Sequence, residues 1–188
     1  KKQLGYKVGI LSSVNLNHAT PADFYEHQAS RNSYYEIGEE MINSGFDYFA
    51  GGGLKKATGA EGDQKDLYEL AKEAGYQVVT TKADAEALTA ESGKAIVIDE
   101  TLADDDAMSY AMDLEEGEWG LADYVEKGIE VLDNEKGFFM MVEGGKIDWA
   151  CHANDAASTI TDTIALDEAV GKAVDFYNEH PDETLILV

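Results

Sequence analysis

Short runs of apolar, β-branched and aromatic residues alternate along this chain with stretches in which apolar residues recur at helical spacing. Several of the short runs are apolar almost throughout, which is typical of strands covered on both faces. The predicted strands are Tyr6–Ser12, Phe46–Gly51, Tyr76–Thr81, Ala95–Ile98, Gly137–Glu143 and Thr184–Val188. This alternation predicts an α/β fold with a mostly parallel central sheet flanked by helices.

Three stretches carry the helical pattern most clearly. The first is SYYEIGEEMINSG, which ends at a glycine typical of helix C-termini, and the second is WGLADYVEKGIEVL. The third runs from about 155 to 178, with apolar side chains at Ile160, Ile164, Val170, Val174 and Tyr177. We expect 1–188 to form a single domain, in which 54–118 is a loop-rich, insertion-like region.

The composition narrows the classes of partner. The chain has 188 residues, of which 44% are hydrophobic, and a formal net charge of -24. So acidic a surface repels nucleic acid and anionic membranes, and we expect neither as a partner. No apolar run approaches the roughly 20 residues that a membrane span needs. The N-terminal stretch KKQLGYKVGIL lacks the apolar core and cleavage site of a signal peptide.

The stretch VEGGKIDWACHAND places three potential metal ligands after a predicted strand. Glu143 ends the strand, where α/β enzymes carry functional groups. Asp148 and His152 are four residues apart and would share one face of a helical turn. Carboxylate and imidazole suit zinc, whereas a glutamate suits a harder ion such as magnesium. The spacing alone slightly favours a strand-end cap with a surface Asp–His hydrogen bond.

Other stretches have simpler structural explanations. In NHATPADFYEHQASRN, Thr20 has the form of a helix N-cap followed by a first-turn proline. Arg31 could bind an anion with its forked guanidinium, although a single arginine is more often a surface ion pair. The glycines at 51–53 lack the spacing of a phosphate-binding GxxxxGK[ST] loop and predict a flexible turn. No GxSxG elbow of a serine hydrolase is present.

Taken together, the HATP…SRN and VEGGKID…H stretches resemble the alkaline phosphatase family. The resemblance extends over nearly the whole chain and includes KVGILSS, DYFAGGG, MSYAMD and ALDEAVGKAVDF. It implies a metal-dependent hydrolase of phosphate monoesters that uses Zn²⁺ and Mg²⁺. It also implies a periplasmic or extracellular location and, for the full-length protein, a possible homodimer.

The resemblance assigns roles to particular residues. It implies that Thr20 and Glu143 ligate magnesium, and that Asp148 and His152 ligate zinc. Arg31 would grip the phosphate oxygens. His18 and Trp149 would occupy two positions beside the metal sites that tune magnesium affinity and phosphate binding across the family.

Several family motifs do not occur in this chain. The D-S-A motif that carries the nucleophilic serine is absent, as is the T-x-D-H motif that supplies further zinc ligands. We therefore expect this chain to be a central segment with negligible phosphatase activity alone. Ser12 and Ser13 are predicted to be ordinary sheet residues. His27, His180 and the single cysteine, Cys151, are predicted to be structural or solvent-facing; one cysteine also excludes an internal disulfide and a multi-cysteine zinc site.

Two alternatives stay open at this stage. The first is another metalloenzyme of the wider superfamily, such as a phosphodiesterase, a sulfatase-like enzyme or a phosphoglycerate mutase. The second is a non-catalytic acidic module that binds divalent cations.

Overall fold

The computed structural model describes residues 2–188, and its centre is a five-stranded sheet. The strands are β1 (Lys7–Ser12), β2 (Tyr48–Gly51), β3 (Gln77–Val79), β4 (Ala95–Ile98) and β5 (Phe138–Glu143). Their order across the sheet is β3-β4-β2-β1-β5, and every pairing is parallel. This confirms the predicted α/β fold with a parallel central sheet. Five of the predicted strands form, β4 with the predicted bounds and the other four with slightly shorter ones.

Helices cover both faces of this sheet. They are α1 (Ala19–Ala22), α2 (Tyr34–Asn43), α3 (Leu67–Glu73), α4 (Lys82–Glu86), α5 (Leu121–Leu132), α6 (Lys146–Ala153) and α7 (Ala156–Glu179). Short 3-10 turns lie at Lys2–Leu4, Asp104–Asp106 and Ala111–Asp113. Among residues 2–188, none of the helices has both the length and the hydropathy that crossing a membrane requires. The region 54–118 contributes α3, β3, α4 and β4, so part of it belongs to the central sheet.

Two hydrophobic clusters fill the spaces between the sheet and its helices. Ile10, Phe49 and Ile96 point to one face, where they pack with residues of α2 and α3. Their strand neighbours Leu11 and Tyr48 point to the other face and pack with α5. This division follows from the strand period of two, because successive side chains point to opposite faces.

The predicted strand at 184–188 does not form. The segment has no strand assignment, and the exposed fractions of Leu185 and Leu187 are 81% and 85%. An apolar, β-branched run becomes a strand only where a neighbouring strand accepts and donates the ladder hydrogen bonds. This segment follows the end of α7 and pairs with none of the five strands.

Helix α7 forms as predicted, but the face that it buries is not its most apolar face. It packs against α5 and α6, and its buried residues are Ser158, Asp162 and Ala169. The exposed fractions of Ile160 and Ile164 are 60% and 52%, so the apolar residues that identify the helix in the sequence are not the ones that it buries. Apolar periodicity identifies a helix, whereas its contacts with neighbouring helices decide which face is buried.

The glycines at 51–53, of which the first ends β2, form a tightly packed turn rather than the predicted flexible one. Gly51 has φ +129, and a Cβ atom there would overlap the carbonyl oxygen of Ser12 on the neighbouring strand. A Cβ atom at Gly52 would come within 2.5 Å of the carbonyl oxygen of Val14. Only glycine accepts both the positive φ and the close backbone approach. The turn therefore fixes the spacing of β1 and β2 at their carboxyl ends.

Candidate functional site

The carboxyl ends of β1 and β5 meet at one edge of the sheet, where Ser12 lies in register with Glu143. The Ser12 hydroxyl donates a 2.5 Å hydrogen bond to the Glu143 carboxylate, and the Ser13 amide donates to the Glu143 carbonyl at 3.1 Å. The strand-end position predicted for Glu143 is therefore confirmed. The two serines are more than ordinary sheet residues, because they hold this glutamate in place. In the sequence, this role is indicated only by two hydroxyl side chains at the end of an apolar strand.

Helix α6 begins directly after the glycine turn that follows Glu143. The backbone amide of Lys146 donates to the Ser13 hydroxyl at 3.1 Å, which ties the start of the helix to β1. Asp148 and His152 lie one turn apart, with 3.5 Å between Oδ1 and Nε2. Their side chains are 73% and 81% exposed, so the pair opens to solvent. The shared helical face predicted for these two residues is confirmed.

The loop between β1 and α1 is held by the buried side chain of Asn17. Its amide nitrogen donates to the carbonyl oxygens of Tyr34 and Lys55, both at 2.9 Å, and its amide oxygen accepts from the Lys55 amide at 2.9 Å. Because these bonds use all but one of the capacities of Asn17, the preceding and following backbone is fixed. This places the next residue, His18, at the start of α1.

The predicted N-cap at Thr20 is wrong by two residues. His18 is the N-cap, Thr20 lies inside α1, and the His18 carbonyl accepts the first helical hydrogen bond from Ala22 at 3.0 Å. The hydrogen bonds of Asn17 fix the backbone just before His18, so the helix begins two residues earlier than the Thr-Pro pattern predicts. The Thr20 side chain is exposed, and α1 packs against β1 and β5.

A chain of contacts joins this loop to α6. The Arg31 Nη2 lies 3.3 Å from His18 Nε2. Arginine only donates, so His18 Nε2 is the acceptor and carries no proton. The His18 ring in turn meets the Trp149 ring edge-on, with centroids 6.0 Å apart. Arg31, His18 and Trp149, which come from two separate sequence motifs, therefore lie together.

Burial and nearby positive charges favour the neutral form of the His18 imidazole. Its pKa is lowered, first by burial and then by the positive charges of Arg31 and Lys55. The carboxylate of Asp148 opposes this lowering of the His18 pKa. The neutral ring is the form that can accept the Arg31 hydrogen bond.

Lys146 and Tyr110 lie beside Trp149, and Lys146 Nζ contacts both aromatic rings. Apart from lying in or near the family motifs, neither residue is marked as functional by the sequence. The Lys146 side chain is fully buried, and its Nζ lies 3.7 Å from the centroid of the Tyr110 ring. The same Nζ is 5.1 Å from the centroid of the Trp149 ring. Burial lowers the pKa of Lys146, and nearby carboxylates oppose this shift; they belong to Asp104, Asp162 and Asp113.

The residues supply pairs of metal ligands rather than a closed cage. Within residues 2–188, no three acidic, histidine or cysteine side chains converge on a point where a metal could bind. Asp148 and His152 offer carboxylate oxygen and imidazole nitrogen side by side, which is a donor set that suits zinc. Glu143 and the adjacent Ser12 offer only oxygen atoms, which suit a hard ion such as magnesium. The donor chemistry therefore fits both metals.

Asp99 is a buried carboxyl group directly after β4, at the same edge of the sheet. It accepts hydrogen bonds from the Thr101 amide at 2.8 Å and the Tyr124 hydroxyl at 3.2 Å. Burial nevertheless raises its pKa from 3.8 to about 6. Between these two values the folded chain binds a proton that the unfolded chain has lost, so the free energy of unfolding falls as the pH rises.

The substitution Asp99→Asn should remove the contribution of this carboxyl group to the pH dependence of the free energy of unfolding. We expect the variant to gain stability relative to the parent as the pH rises, with the difference growing by about 1 kcal/mol between pH 5 and pH 8. Urea unfolding of both proteins at the two pH values measures the change. A stability difference that is the same at pH 5 and pH 8 would contradict the expectation.

Comparison with known proteins places this arrangement in a family. The sequence pattern of the family described as alkaline phosphatase matches residues 1–188. Alkaline phosphatase 4 of Bacillus subtilis is 31% identical over 182 residues, which cover 93% of this chain and 38% of that protein. Alkaline phosphatase of Escherichia coli is 29% identical over 231 residues, covering 100% of this chain and 49% of that protein.

Solved structures agree with the sequence comparison. The cold-active alkaline phosphatase of a psychrophilic Shewanella matches with a TM-score of 0.82 and 30% identity, over 96% of this chain and 42% of that one. The alkaline phosphatase of the Antarctic bacterium TAB5 matches with a TM-score of 0.81 and 32% identity, over 95% of this chain and 51% of that one. This chain thus spans about half the length of these relatives or less. By its sequence and by its fold, the chain belongs to the alkaline phosphatase family.

Proposed function

We propose that this chain is part of a metal-dependent enzyme that hydrolyses phosphate monoesters, and that it carries the phosphate-binding arginine and two partial metal sites. The contact of Arg31 with His18, and of His18 with Trp149 on α6, is the observation that carries the proposal. These contacts bring a cationic fork to the helix that bears Asp148 and His152. Membership of the family supports the same reaction.

In this proposal, each residue acts through its own chemistry. The Arg31 guanidinium binds two non-bridging phosphate oxygens, because its planar fork matches their spacing. Asp148 and His152 would hold zinc, and Glu143 and Thr20 would hold magnesium. His18 and Trp149 position Arg31 and border both metal sites. A mutant form of the TAB5 enzyme has been solved with Mg bound, which supports a magnesium site in the family.

The bound metals would neutralise charge on the attacking and leaving oxygens and supply a nucleophile at neutral pH. The residues of this chain contribute orientation. Ser12 holds the Glu143 carboxylate at the strand end, and the Ser13 hydroxyl fixes the start of α6. Together they set the position of Glu143 relative to the helix that carries Asp148 and His152.

The other candidates have less support. Phosphodiesterases, sulfatase-like enzymes and phosphoglycerate mutases share the metal-bearing α/β sheet, but not the joint HATP…R and VEGG…H pattern found here. A non-catalytic acidic module would not need Arg31 at the helix of the metal ligands. By family resemblance we also propose a periplasmic or extracellular location and a homodimer for the full-length protein.

Phosphate binding tests the proposal directly. We expect calorimetry to show that the zinc-loaded chain binds inorganic phosphate. Arg31→Met should raise the dissociation constant for phosphate by about ten- to a hundredfold. This range corresponds to the loss of a charge-assisted hydrogen bond pair. Lys56→Met, which removes an exposed positive charge after the glycine turn, is the matched control and should change little. Equal losses in the two variants would indicate non-specific attraction and would contradict the assignment of Arg31.

A further inference from the structure

The side chain of Lys146 is the least expected feature of this region. It is fully buried, and its Nζ has no hydrogen-bond partner within residues 2–188. An ammonium group without an acceptor is among the most unfavourable groups to bury. Lys146 is also the first residue of α6, where the helix dipole disfavours a positive charge. Local preferences therefore oppose a lysine at this position.

Two aromatic rings contact the ammonium directly, in addition to the longer-range attraction of the nearby carboxylates. The Nζ lies 3.7 Å from the centroid of the Tyr110 ring and 5.1 Å from that of the Trp149 ring. Both distances are within the range in which a cation is attracted to a ring face. Because Lys146 and Trp149 are three residues apart on α6, their side chains are neighbours on one helical face, and the ammonium contacts the indole ring.

Trp149 connects Lys146 to Arg31, the proposed phosphate-binding residue, through His18. Its ring contacts the His18 ring, and His18 Nε2 accepts the hydrogen bond of Arg31. Arg31 itself is exposed, so few other contacts limit its long side chain. The orientation of its guanidinium therefore depends on His18, and that of His18 on Trp149.

We propose that Lys146 and Tyr110 are positioning residues for Arg31: Tyr110 holds the Lys146 ammonium, which holds Trp149 against His18 and so orients the Arg31 guanidinium for phosphate. This rests on the proposed function for the role of Arg31 in phosphate binding. The contact series itself does not depend on phosphate, so the two can be tested separately.

The composition of the chain allows a direct test by nuclear magnetic resonance. Arg31 is the only arginine, so its Nε–Hε group gives a single cross peak. Trp119 and Trp149 give two indole cross peaks, and Trp119, which packs on Tyr124, serves as an internal reference. Lys146→Met keeps an unbranched, apolar side chain of nearly the same length and removes the ammonium group.

We expect Lys146→Met to shift the Arg31 and Trp149 cross peaks without phosphate and to leave Trp119 in place. It should also weaken phosphate binding to the zinc-loaded chain by roughly three- to tenfold, in the range of a cation–π contact. Lys146→Arg should retain much of the parent's cross-peak positions and phosphate affinity, since a guanidinium also packs on aromatic faces. Lys72→Met, at an exposed lysine paired with Glu69, is the control and should change neither.

A second pair of variants keeps the test decisive if Lys146→Met fails to fold. Tyr110→Leu removes the ring face and should shift the Arg31 cross peak, whereas Tyr110→Phe retains the face and should not. An Arg31 cross peak that stays in place in Lys146→Met, or in Tyr110→Leu, would overturn the proposal. Failure of the parent chain to bind phosphate would instead refute the proposed function, because the phosphate-free spectra still decide whether Lys146 and Tyr110 orient Arg31.

Discussion

Replacing Gly51 by alanine should lower the free energy of unfolding by at least about 3 kcal/mol. Gly51 combines φ +129 with a backbone approach so close that a methyl group would overlap the Ser12 carbonyl oxygen. Neither neighbour can yield easily, because Ser12 and Gly51 are paired residues of β1 and β2 at the centre of the sheet. Urea unfolding followed by circular dichroism measures the loss.

The same substitution at Gly171 is the matched control. Gly171 lies inside α7, and a Cβ atom there would meet nothing within 4 Å. Alanine is a better helix former than glycine, so Gly171→Ala should raise the free energy of unfolding by about 0.5–1 kcal/mol. Opposite signs for one chemical change would identify the close strand approach as the cause. A mild loss in both variants would mean that the turn after β2 is more adaptable than its packing indicates.

Zinc binding should depend almost entirely on Asp148 and His152. We expect calorimetry to give close to one zinc ion per chain, and Asp148→Ala or His152→Ala to weaken this binding by at least roughly tenfold, because each removes one of the two donors. The two side chains already lie within 3.5 Å of each other on one helical turn, so little rearrangement is needed. The double variant should lose no more than the sum of the two single losses.

His27→Ala tests whether any exposed histidine–carboxylate pair would serve equally well. His27 Nδ1 lies 3.3 Å from the Glu40 carboxylate, and its side chain is 90% exposed. This pair lies outside the proposed site, so the substitution should leave zinc affinity unchanged. Weak binding of many ions that none of these changes affects would point instead to diffuse attraction by the acidic surface, as in the cation-binding module considered above.

Local sequence patterns predicted most of the fold. Apolar runs gave five of the strands, since a parallel sheet buried on both faces demands continuous apolar sequence. The pattern failed at Thr184–Val188, where the composition suits a strand but no partner strand is adjacent. It predicted helix α7, but its periodicity does not show which face meets α5 and α6. Both the missing strand and the buried face of α7 depend on contacts between segments that are distant in sequence.

The candidate site divides in the same way. Local sequence patterns were sufficient to predict Glu143 at a strand end and Asp148 with His152 on one helical face, because both follow from local geometry. Only the tertiary structure showed that Ser12 holds Glu143, that His18 accepts from Arg31, and that Lys146 lies buried against Tyr110. Each of these contacts joins segments far apart in the chain. Strand register and helix packing bring them together, and neither is encoded in the spacing of any single motif.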